Sequence, residues 1–178
     1  VSIEKDSFDL PIGASESVIV IIVAEQPGIY TGEIIIKAGD VEKIIPIIVE
    51  VETKEALFDI ELVIPPPYLV LQPGDELNTQ INLFEIARVG QIDVTVNYII
   101  KDIKDNLVIQ RSETFAVDGQ KQYTKKFKLP VNMEPGKYVV AAELVYEGGV
   151  AISSSLFEVS DVQKPVEELP IQGVPRIR

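Results

Sequence analysis

Oxygen donors are the chemistry this sequence has to offer, and Asp102, Asp105 and Asn106 are the best local candidate for a site built from them. Carboxylate and amide oxygens in an acidic loop are what a calcium ion takes as ligands. These three lack the D-x-D-x-D-G order and no bidentate Glu follows them, so a hairpin turn is the simpler expectation, because Asp and Asn side chains bond readily to the backbone beside them. Two carboxylates across a cleft could do acid/base work on a sugar. No such pair stands out: Glu61, Asp93, Glu143 and Glu158 alternate with apolar residues at strand period or sit in turns, as members of a solvated face do. The sequence contains no His and no Cys. That removes the commonest general base and transition-metal ligand, the thiolate nucleophile and any disulfide framework. No catalytic, cofactor-binding or metal-binding residue is therefore assigned, and the chain is expected not to be an enzyme.

Other ligand classes are excluded in the same way. Phosphate loops need G-x-G-x-x-G or G-x-x-x-x-G-K, and neither occurs. A net charge of −12, from 16 basic against 28 acidic residues, argues against nucleic acid, which needs a basic patch. The one basic run, Lys121, Lys125, Lys126 and Lys128, interleaves with Tyr123, Phe127 and Leu129 and reads as one solvated strand face. With no Trp, an aromatic platform for sugars is not expected, and there is no N-x-[ST] sequon. Tyr30 and Tyr138 are expected in core or corner packing, and Tyr68, after Pro65-Pro66-Pro67, in a turn.

The elements that position these residues read as strands nearly throughout. The apolar share is built mainly from Ile and Val, whose branched side chains lose rotamer freedom in helices and pack well on a pleated sheet. The 12 Pro and 11 Gly are spread between apolar runs, as turn punctuation is. Two segments match each other: Pro27-Gly28-Ile29-Tyr30 and Pro135-Gly136-Lys137-Tyr138 both open a strand, followed by a glycine turn and a last alternating strand. Upstream, Phe8 to Leu10 and Val18 to Val23 correspond to Thr114 to Val117 and Tyr123 to Leu129. Residues 56 to 106 have no counterpart upstream. The expected organisation is thus the second half of an immunoglobulin-like sandwich over 1–54, a complete seven-stranded immunoglobulin-like β-sandwich over 56–160, and a Pro-rich extended tail or stalk over 161–178. The fold class is all-β, two tandem sandwiches with the first lacking its N-terminal strands. Ala56 to Leu57 leaves almost no slack, which predicts a restricted relative orientation.

No run approaches the apolar length a membrane helix needs. The chain opens at Val1 with a strand-like pattern, as a processed or excised piece of something longer would, and Arg176 and Arg178 would suit a membrane boundary beyond the tail.

Residues Pro27 to Ile34 with Gly39 and Ile45-Pro46-Ile47-Ile48-Val49-Glu50-Val51 resemble the second half of a surface Ig-like repeat of archaeal membrane-anchored and S-layer-associated proteins. Leu71-Gln72-Pro73-Gly74-Asp75, Pro135-Gly136-Lys137-Tyr138 and Phe157-Glu158-Val159 are similar to a related adhesin-like module. The resemblance covers about residues 1–159 and implies an extracellular, cell-surface location and a structural or interaction role. Its departure is the missing first half of the first module. That half invites protein partners, including copies of the chain itself by strand complementation into a filament. The alternative function is a ligand- or carbohydrate-binding adhesin module.

Overall fold

In a computed structural model, residues 1–54, 56–87 and 90–161 are described; the expected stalk, from 162 onward, lies outside them. The chain is all-β. Its strands are β1 (Ser2–Ile3), β2 (Val20–Ile21), β3 (Gly28–Ala38), β4 (Val41–Val51), β5 (Phe58–Val63), β6 (Val70–Leu71), β7 (Glu76–Glu85), β8 (Ile92–Asp102), β9 (Leu107–Val117), β10 (Gln120–Lys128), β11 (Gly136–Tyr146) and β12 (Gly149–Val159). One turn of 3-10 helix, Pro66–Tyr68, precedes β6 and holds Tyr68 in a turn, where Pro at the first helical position costs no hydrogen bond.

From Phe58 onward two sheets pack face to face. One runs β10-β7-β5 and the other β6-β12-β11-β8-β9, with every pairing antiparallel except β6 on β12. Of the seven long strands here, the first, second and fifth form one layer and the other four form the second, the crossing pattern of an Ig-like sandwich. The cause is visible in the alternation: in β5 Phe58, Ile60 and Leu62 are buried while Asp59, Glu61 and Val63 are exposed. The inward rows of both sheets meet in one core that includes Phe58, Ile81, Val96, Tyr98, Phe127 and Phe157. The seven strands expected in this part are present as β5 and β7 to β12.

The turn between β11 and β12 is sterically tight. A Cβ on Gly149 would lie 2.6 Å from the Tyr146 ring. That ring is held by Phe58, 5.5 Å away between centroids, and its hydroxyl accepts the Leu57 N–H at 3.2 Å. Gly149→Ala is expected to cost about 1–3 kcal/mol, the range of overpacked sites. Gly32→Ala, where nothing lies within 4 Å, should leave the urea midpoint almost unchanged. Equal midpoints for the two variants would refute this account.

The first 54 residues form no second closed sandwich among the described residues. The strand expected over Val18–Val23 shrinks to Val20–Ile21, paired only with Ser2–Ile3, and Phe8–Leu10 forms no strand. A short ladder without neighbours on either side gains too little burial to extend. β3 and β4, by contrast, make a hairpin of two eleven-residue strands that matches β11 and β12 at a constant offset of 108 residues: Gly28 pairs Val51 as Gly136 pairs Val159.

This hairpin lies on the outer face of the larger sheet. Ile29 is buried against Ile99, Val139, Ala141 and Ile152, with Ile48 beside them. The joint is pinned by polar contacts as well. Lys101 Nζ donates to the Ile29 carbonyl (3.2 Å), and Thr31 Oγ1 donates to the Asp102 carbonyl (3.0 Å). Thr53 exchanges hydrogen bonds with Val150, its N–H donating to the Val150 carbonyl (3.2 Å) and its Oγ1 accepting the Val150 N–H (3.0 Å). Glu52 Oε1 accepts the Ile152 N–H at 2.6 Å. Residues 52 and 53 thus satisfy backbone groups on the edge of β12 that would otherwise face solvent unpaired.

Candidate functional site

The acidic cluster that could have held calcium is closed on itself. Asp102 Oδ1 accepts the N–H groups of Lys104 and Asn106, each at 2.8 Å, and its Oδ2 accepts Asn106 Nδ2 at 2.8 Å. Burial acts to raise the Asp102 pKa, but the bonds from Asn106 and Lys104 outweigh it and hold the carboxyl below the usual range. Asp105 takes the left-handed backbone at φ 69° and pairs with Lys101 at 2.9 Å. The cluster shapes the β8–β9 turn, as Asp and Asn side chains do. Among the described residues no three acidic side chains gather where they could hold a metal ion. Glu61 and Glu158 are exposed on outward strand positions, and Glu143 is half-buried on β11.

The basic run is divided, which corrects the expectation of one solvated face. Strand parity puts Lys126 and Lys128 outside but sets Lys121 and Lys125 on the same side as Tyr123 and Phe127. They close the gap between the edge strands β9 and β10. Lys121 Nζ lies 3.8 Å from the Phe115 ring centre and Lys125 Nζ 4.6 Å from that of Tyr98. Lys125 also pairs with Glu113 at 2.5 Å. Tyr98 donates to Glu113, and its hydroxyl meets that of Tyr123 at 2.6 Å. Burial, with Glu113 and Tyr123 adjoining, drives the Tyr98 hydroxyl far above its usual range, and burial pushes Tyr123 up to about 12. Glu113 is held low: burial opposes, but Lys125 and Tyr98 outweigh it. Each member has a partner, so the cluster reads as a polar seal between two edges.

The repeated tyrosines are corners. Tyr138 Oη donates to the Glu134 carbonyl (2.7 Å) and Tyr30 Oη to the Gln26 carbonyl (3.0 Å), the same four-residue reach in both hairpins. A tyrosine bonding back to the backbone at the start of the sixth strand is a hallmark of Ig-like sandwiches.

What differs between the two hairpins is their cover. Tyr138 is 7% exposed and Leu144 0%, beneath the β10-β7-β5 sheet; their equivalents Tyr30 and Ile36 are 38% and 49% exposed. This face carries Tyr30, Gly32, Ile34 and Ile36 from β3 and Ile45, Ile47 and Val49 from β4, with Lys43 opposite Ile36 as its one charged residue. Val20 and Ile22 cover part of it, leaving an apolar groove of about 140 Å³. β3 and β4 are each paired, as strands, only with the other among the described residues. A largely apolar face of this kind, flanked by open strand edges, is the candidate interaction surface. The Ile-rich pattern of these strands made it legible in the sequence.

Among the described residues no helix is long and apolar enough to cross a membrane. No family model matches the chain, and no curated protein is similar to it. Among solved structures, it is similar to the C-terminal domain of Wzt (12% identity, 72% of this chain and 88% of that one, TM-score 0.44). It is also similar to the CARDB domain of a Pyrococcus furiosus protein (14% identity, 58% and 87%, TM-score 0.42). A third is a family 123 glycoside hydrolase from Clostridium perfringens (14% identity, 62% of this chain but 28% of that one, TM-score 0.43). The hydrolysis described for that enzyme belongs to a chain of which this one spans less than a third. The chain is an Ig-like β-sandwich by its own strand order and tyrosine corner.

Proposed function

We propose that this chain is a non-catalytic structural and interaction module of a cell-surface protein, working outside the cell. In this reading residues 1–54 are the second half of an Ig-like sandwich. Residues 56–160 are a complete one, and strands of protein partners, including copies of the chain itself, complete the first. The carrying observation is the pair of hairpins with the same register, one buried at Tyr138 and the other open at Tyr30. The archaeal S-layer and adhesin resemblance of Pro27 to Ile34 and of Pro135 to Tyr138 supports the location. Self-associated copies would form a filament, each supplying strands to the next.

The test is the oligomeric state of the chain by light scattering, with negative-stain images of the same sample. Concentration-dependent oligomers or filaments are expected if copies complete one another. A strict monomer that binds no hydrophobic dye would overturn the reading, because it would mean that the Tyr30 face needs no cover.

A further inference from the structure

Resting on that reading, we infer that the free edge of β3, from Tyr30 to Lys37, is a docking site for one extended polypeptide segment, bound antiparallel in the way β8 binds β11. The constant offset makes this specific. Tyr138 to Val145 of β11 pair with Asp102 to Thr95 of β8, and subtracting 108 places the vacant positions at Tyr30 to Lys37. The partner is recognised by chemistry as well as position. A β8-like strand sends Val96, Tyr98 and Ile100 to the core and Thr95, Asn97 and Ile99 to the other side. A segment with large apolar residues at alternate positions would lay them along Gly32, Ile34 and Ile36. Gly32 stands where β11 has Val140, and no atom comes within 4 Å of a Cβ built there, so a bulky side chain opposite it has room. The main chain of the partner supplies the affinity and its alternation the selectivity.

The edges of β4, β9 and β10 are unsuited. Pro46, in the middle of β4, has no N–H to give. β10 is lined by Lys121, Lys125, Lys126 and Lys128, and β9 carries Arg111 and Glu113, charges of the kind that guard natural sheet edges. β3 has only Glu33 and Lys37 among its eleven residues.

The probe is a synthetic peptide with the sequence of Ile92 to Asp102, titrated into the full chain while backbone amide exchange is followed by NMR. Expected is slower exchange at alternate amides between Tyr30 and Lys37, by at least about tenfold at saturation. Gly32→Glu, which sets a charge in the middle of the apolar face, should weaken peptide binding by at least about tenfold. Gly32→Ser should keep most of it, showing that the hairpin tolerates a side chain there. Protection gained at β4, β9 or β10 instead, no binding, or equal binding by Gly32→Glu would overturn the assignment. Oligomers whose β3 amides remain unprotected would overturn it too while sparing the surface-module reading.

Discussion

Tyr98→Ala is expected to lower the unfolding free energy by about 3–5 kcal/mol, the range for a large aromatic removed from a packed core. Its ring is fully buried and tilted against Phe127, with centroids 5.7 Å apart. Tyr98→Phe keeps the ring and deletes only the hydroxyl, which leaves the Glu113 carboxylate with Lys125 alone and takes the Tyr123 hydroxyl's partner away. The expected cost is about 1–3 kcal/mol. Urea unfolding of both variants checks the order: no loss in Tyr98→Phe would mean that the hydroxyl network contributes nothing, and equal losses that the ring adds nothing beyond the hydroxyl. The same cluster sets an alkaline limit. An unfolded chain releases the Tyr123 proton near the ordinary 10.0, whereas the folded chain holds it to about 12. Between those values the unfolded state binds fewer protons. The contribution is therefore complete below pH 10 and is lost as pH rises toward 12. Tyr123→Phe should flatten that decline.

Ile29→Ala is expected to undock the hairpin without unfolding the sandwich. Truncating a buried Ile costs about 2–5 kcal/mol, and this one touches Ile99, Val139, Ala141 and Ile152 on the outer face of the sheet, apart from the main core. Amide exchange should quicken at Thr53, Val150 and Ile152, whose backbone bonds cross the joint. Amides of β7 should hold their protection, because that strand is sandwiched between β5 and β10. Uniform loss across the chain would show instead that hairpin and sandwich unfold as one unit.

The strands were legible because Ile, Val and turn residues mark them locally, and the hairpin repeat because Pro-Gly-x-Tyr recurs with its spacing intact. Side-chain parity on β10 was equally readable: Lys121, Tyr123, Lys125 and Phe127 are all odd positions, and counting by two puts two lysines on the inward side. Their partners were not readable, since Tyr98, Glu113 and Tyr123 come from three strands whose register no local pattern fixes. Docking of the hairpin left a faint signal. The continuous run Tyr138-Val139-Val140-Ala141-Ala142 has no polar alternation, which is how a strand buried on both faces reads. The fate of Val18 to Val23 was hidden, because an Ile- and Val-rich segment becomes a long strand only where neighbours accept its hydrogen bonds.

The parallel ladder between β6 and β12 bears on how the sandwich would respond to tension. Ser160 N–H donates to the Leu71 carbonyl and Glu158 N–H to that of Leu69, at 2.8 and 2.9 Å. Because the two strands run in the same direction near opposite ends of the sandwich sequence, a pull on those ends slides one past the other. The bonds lie across the direction of pulling and must yield together rather than one after another, as in a zip. Two short strands therefore act as a shear clamp, placing resistance to stretching at Leu69 to Leu71 and Glu158 to Ser160.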